Sequence, residues 1–146
     1  MPPLDPPAKP AGSISRLRRF VLLELPGWGI LTVSVGYTLL ATGGWVVVFF
    51  QVVLLSAALA WFVGGRLPSL AAGSLLFGWA TGTLGYFTLL SLASIGLYLL
   101  PVSAFVLVVL VLLLGARNLP SWAAAGGGVA LAIAVQTVFL GLTAGR

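Results

Sequence analysis

The chain has 146 residues, 60% of them hydrophobic and 6% charged, with a formal net charge of +5 and neither Cys nor His. A soluble domain carries about 25% charged residues, so this composition cannot cover a surface facing water and is that of a membrane protein. It also excludes disulfides, thiolate nucleophiles, Cys-ligated clusters, His-ligated haem and imidazole acid–base chemistry.

Residues 1–12 hold five prolines, and no apolar period runs through them. They are predicted to be a disordered, proline-rich tail on the cytoplasmic side. Residues 13–25 bring Arg16, Arg18 and Arg19 together with Ile14, Leu17 and Val21. This predicts a short amphipathic helix on the membrane surface, arginines toward lipid phosphates. The alternative is one long helix from about Phe20, kinked at Pro26. A cleaved secretory signal is not expected, since the apolar region continues for a full span and beyond without an Ala-x-Ala site.

From Pro26 to Gly145 the only charged side chains are Arg66 and Arg117. Three Leu-Pro dipeptides, Leu25-Pro26, Leu67-Pro68 and Leu119-Pro120, each open an apolar run, as suits proline at a first helical position. A spanning helix needs about 20 apolar residues. Cuts at the Gly, Pro and Arg signals yield five such segments, at about 26–41, 45–63, 69–90, 95–114 and 121–142. Short turns make consecutive spans antiparallel. The predicted fold is therefore all-α, a polytopic membrane protein whose bundle of about five helices occupies residues 26–146. Pro101 either kinks the fourth span or marks its start.

The tail arginines, Arg66 and Arg117 fall on alternate turns, hence on one side, and positive-inside reasoning makes that side cytoplasmic. The N-terminus is then inside a cell membrane and the C-terminus outside. Trp28, Trp61 and Trp122 are predicted at the inner interface, with Trp45, Tyr86 and Tyr98 near the outer one; Trp79 sits mid-span and does not fit such belts. A weak repeat of Leu-Pro, hairpin and Gly-x-Arg relates residues 26–66 to 68–117, although turn chemistry by itself favours the same residues.

In lipid, small and polar residues rather than hydrophobicity bring helices together. Ser74, Gly78 and Gly82 at four-residue spacing, and Gly126, Gly127 and Gly128, predict two smooth faces that pack against each other or against a partner. Gln51 and Gln136 each lie six residues from the outer end of a span, about 9 Å deep at 1.5 Å per residue, which allows an amide pair or a polar pocket. Thr32, Ser34, Thr38, Thr81, Thr83 and Thr88 are expected to satisfy their hydroxyls on their own helices. Glu24, the one acid near the membrane, is expected to bridge to the arginine cluster, Arg66 or Arg117.

No nucleophile–base pair, carboxylate pair, metal-ligand cluster or phosphate loop is recognisable. The expectation is a protein without catalytic residues, cofactor or metal, and hence not an enzyme. Three arginines beside a membrane do not make the basic surface that nucleic acid needs. The expected partners are the bilayer, anionic lipid included, and another membrane protein or a second copy of the chain. The expected role is an accessory, anchor or assembly subunit of a larger membrane complex. In length and hairpin organisation the chain resembles the small membrane subunits of tripartite solute transporters, which implies the alternative role of a transporter or transport subunit.

Overall fold

The structure is a computed structural model that describes residues 11–41, 43–92, 96–115 and 118–145, the first four of these by backbone alone. Arg117, Arg146 and the tail up to residue 10 lie outside the described residues. The elements are α1 (Ala11–Arg19), a π-helical turn (Phe20–Glu24), α2 (Leu25–Leu40), α3 (Trp45–Gly64), α4 (Leu70–Leu90), α5 (Gly96–Gly115) and α6 (Leu119–Ala144). Among the described residues there is no strand. The fold is that of an all-α polytopic membrane protein.

The first break differs from expectation. Residues 13–25 do not form a separate helix: α1, the π-helical turn and α2 follow one another without a non-helical residue. The widening that bridges them has a local cause. Pro26 has no N–H to bond the Leu22 carbonyl, and its ring would clash with that carbonyl in an α-helix. The turn before it widens, so that the Leu25 N–H bonds to the Phe20 carbonyl, five residues back. A π-bulge is a known way to accommodate such a conflict without ending the helix.

The remaining boundaries have equally local causes. Between α2 and α3, Gly43 and Gly44 take φ values of 72° and 101°, where an L side chain is strained. Pro68 does not open α4; Ser69 intervenes as its cap, its hydroxyl accepting from the Ala72 N–H at 3.3 Å. In α6, Pro120 occupies the first turn after the Asn118 cap, the place where a missing N–H is harmless. Pro101 lies within α5, which begins five residues earlier at Gly96.

Four helices, Ser15–Leu40, Trp45–Gly64, Gly96–Gly115 and Leu119–Ala144, are long and apolar enough to cross a membrane. The third expected span, α4, has 21 residues but is not among them, and its place in the fold explains why. It packs against α3, α5 and α6, and buries Gly73, Ser74, Gly78, Thr81, Gly82, Thr83 and Thr88 among others. A helix enclosed by other helices has little need of a lipid-compatible surface, so small and hydroxyl residues replace Leu and Val. The core around it joins Ile30, Leu54, Trp61, Phe77, Leu84 and Val106.

Two of the tryptophans also depart from expectation. Trp61 is fully buried, its ring 4.8 Å from that of Phe77, and is therefore no interfacial anchor. Trp79, which fitted no belt, is an interhelical donor: its indole N–H bonds the Ser56 hydroxyl of α3 at 3.2 Å.

Candidate functional site

Among the described glycines, those with the least room between helices lie between α4 and α6. A Cβ at Gly78 would overlap the Ala125 carbonyl, and one at Gly128 would overlap the Leu75 carbonyl. At Gly82 a Cβ would stand 2.8 Å from the Val129 Cα. Ser74 lies one turn before Gly78 and is fully buried. Residue numbers rise together along this seam, from Gly78 beside Ala125 to Tyr86, whose hydroxyl bonds that of Thr137 at 2.9 Å. The two helices are therefore parallel.

Gly126 and Gly127, expected on this packing face with Gly128, are not on it. Both are exposed, and nothing lies within 4 Å of where a Cβ would stand on either. Helix geometry accounts for the split: successive residues turn by about 100°, so three consecutive glycines cannot share one face. The inward stripe of α6 is instead Ser121, Ala125, Gly128, Ala132 and Gln136. An outward series of small residues, Ala123, Gly127, Ala130, Ala134 and Gly141, recurs at intervals of four, three, four and seven residues, and every member is exposed.

Gln51 and Gln136 do not form the expected pair. The Gln136 amide N–H donates to the Ala132 carbonyl of its own helix at 3.1 Å, and its side-chain oxygen has no partner. The buried side-chain oxygen of Gln51 has none either. Helix α3 does reach α6, through Phe49 stacked on Phe139 with ring centroids 3.5 Å apart. Gln51 follows Phe49 by two residues and is turned about 200° from it. The pair was expected from chain position, which carries no azimuth.

The hydroxyls divide in a similar way. Thr32, Thr38, Thr81 and Thr88 bond the carbonyl four residues back, as expected of helix threonines. Ser34 and Thr83 do not; both hydroxyl oxygens are buried and unpartnered. Thr88 also meets the Ser103 hydroxyl of α5. Interhelical bonds such as Trp79–Ser56 and Tyr86–Thr137 were missed from sequence, although the misplaced mid-span Trp79 was a usable signal.

Helices α5 and α6 flank a lateral cavity of about 450 Å³ over α4, lined by residues including Gly82, Gly85, Leu89, Leu107, Val129 and Ile133. At the arginine end, Arg66 lies 3.7 Å from Glu24. This pair ties the end of the π-helical turn to the α3–α4 connection. Both side chains retain solvent access, so the bridge contributes at most about 1 kcal/mol. Arg16, Arg18 and Arg19 are exposed on α1.

Comparison with known protein families, with curated proteins and with solved structures finds no match.

Proposed function

We propose that the protein is a non-catalytic integral membrane protein that serves as an accessory, anchor or assembly subunit of a larger membrane complex, docking through the outward face of α6. The observation that carries this reading is the pair Gly126 and Gly127, which are exposed and where, among the described residues, a Cβ would meet nothing within 4 Å. Each glycine weakens a helix by about 1 kcal/mol relative to alanine. Gly128 is accounted for by the seam with α4, whereas no contact within the chain accounts for the other two. A second helix laid against Ala123, Gly127, Ala130 and Ala134 would approach the backbone closely, which is how membrane helices associate. The partner is another membrane protein or a second copy of the chain. Gly127→Leu tests this: the purified variant is expected to melt like the parent in mild detergent while losing its stoichiometric partner on co-purification. A variant that keeps its partner removes the reading.

The alternative role, a transporter or the small membrane subunit of a solute transport system, draws support from a different observation. The oxygens of Ser34, Gln51, Thr83 and Gln136 are buried without a hydrogen-bond partner, and buried acceptors of that kind suit a polar solute. Reconstituted protein that moves solute, and stops when Gln136 is replaced by Leu, would favour this role over the first.

In either role the reading places the chain in the cell membrane with the arginine end cytoplasmic, by the positive-inside rule. Anionic headgroups are the proposed partners of Arg16, Arg18 and Arg19.

A further inference from the structure

We propose that α1 is a membrane-surface arm. It turns about the π-helical segment Phe20–Glu24 and lies along the leaflet at the arginine end, held there by anionic lipid headgroups on Arg16, Arg18 and Arg19. The proposal rests on the reading of the arginines given above and adds a hinge, a clamp and a dependence on lipid charge.

Length supplies the first argument. The helix Ser15–Leu40 has 26 residues, about 39 Å at 1.5 Å per residue. A bilayer core is about 30 Å thick. Arg16, Arg18 and Arg19 mark the end that leaves the hydrocarbon, and α1 extends it by four residues, to Ala11.

The faces of α1 supply the second. Leu17 is 65% and Phe20 49% exposed, and among the described residues α1 packs chiefly against the adjoining π-helical turn. At 100° per residue, Leu17 and Phe20 share one side of the helix, with Arg18 and Arg19 each turned about 130° from it and Arg16 at its edge. A helix standing upright in water leaves that apolar side wet. Laid flat, it sinks Leu17 and Phe20 into the acyl boundary while the arginines reach phosphates. No acidic residue of α1 competes for them.

The hinge supplies the third. On its bundle side the π-helical turn is held by contacts with the α3–α4 connection: Glu24 is bridged to Arg66, and Leu23 lies over Gly65 at ordinary packing distance. Pro26 behind it is buried and cannot donate to the Leu22 carbonyl. On the other side, Ser15 to Phe20 are exposed. A wide turn with one end fixed and the other uncovered concentrates bending between Phe20 and Glu24.

The chain has no cysteine, so Leu17→Cys places one nitroxide label on the apolar side of the arm. The full-length protein is compared in nanodiscs of phosphatidylcholine and of phosphatidylcholine with phosphatidylglycerol. Label accessibility to oxygen against a water-soluble nickel reagent reports depth, and Leu39→Cys, at the far end of α2, serves as the reference. One arginine near an anionic leaflet contributes about a fivefold preference, and three together roughly a hundredfold. The label at position 17 is expected to pass from water to lipid when phosphatidylglycerol is added, with the reference unchanged. R16Q/R18Q/R19Q is expected to abolish the shift. A label that reads the same in both membranes, or a shift that persists in the triple variant, overturns the arm. Native mass spectrometry separates the two layers. Phosphatidylglycerol retained by the parent and lost from the triple variant, without movement of the label, overturns the arm alone. No retention and no movement overturns the arginine–lipid contact with it.

Discussion

Gly78 and Gly127 are chemically identical and sit on the two helices of one seam, yet a methyl group would have opposite consequences at each. At Gly78 it would overlap the Ala125 backbone. Gly78→Ala is therefore expected to destabilise the protein by about 1–3 kcal/mol, the usual cost of overpacking a tight contact, visible as a lower melting temperature in detergent. At Gly127 the methyl enters open space, so Gly127→Ala should leave the melt unchanged or raise it by up to about 1 kcal/mol through helix propensity. Equal losses in both variants would mean that α6 is rotated about its axis from the arrangement described. Glu24 behaves as a surface group. Glu24→Gln removes the exposed bridge to Arg66, with an expected loss below about 1 kcal/mol and no change in any solute flux. A stably folded variant that loses flux would make Glu24 functional instead.

At the scale of the element, helix α4 inverts the usual rule for membrane spans, being the most enclosed helix and the one whose composition falls short of a lipid-facing span. Its cohesion with α3 includes one side-chain bond, from the Trp79 indole to Ser56. Ser56→Ala leaves that half-buried donor unpaired and is expected to cost about 1 kcal/mol. An unchanged melt would show that the indole finds another acceptor. The helix that begins at α1 is unusual for a different reason, the conflict between Pro26 and the Leu22 carbonyl. Pro26→Ala restores an N–H and removes the clash. The π-helical turn is then expected to close into an α-helix and slow amide exchange at positions 25–27. Exchange as fast as in the parent would assign the wide turn to its contacts with α3 instead.

For the molecule as a whole, alternation decides topology. Trp28 meets Phe62 across α2 and α3, Trp79 meets Ser56 across α3 and α4, and α4 runs parallel to α6. Arg66 and the tail arginines lie at one end, so a bundle of five crossings puts the C-terminus on the side opposite to them. A reporter fused after Arg146 that is active only outside the cytoplasm is the expected result; cytoplasmic activity would remove one crossing. Helix α6 is covered by α4 on its inner side and leaves its outer small residues bare, which is why the proposed docking face lies there.

Hydropathy and turn chemistry act over one or two helical turns, and what depends on them was legible in the chain itself. The all-α class followed from the span-length apolar runs, the helix ends near Gly43, Pro68 and Pro120 from their glycines and prolines, and the reach of Glu24 to the arginines from their shared end. Facing depends on which side of each helix the others cover, and only the tertiary structure decided it. The Gly126–Gly128 run could not be divided into one buried and two exposed residues from sequence, because composition carries no azimuth. The Gln51–Gln136 pair expected from chain position fails for the same reason. The continuity of α1 with α2 was a balance between proline's lost hydrogen bond and the packing of Leu23 and Glu24 on the α3–α4 turn, and those contacts exist only once the bundle has formed.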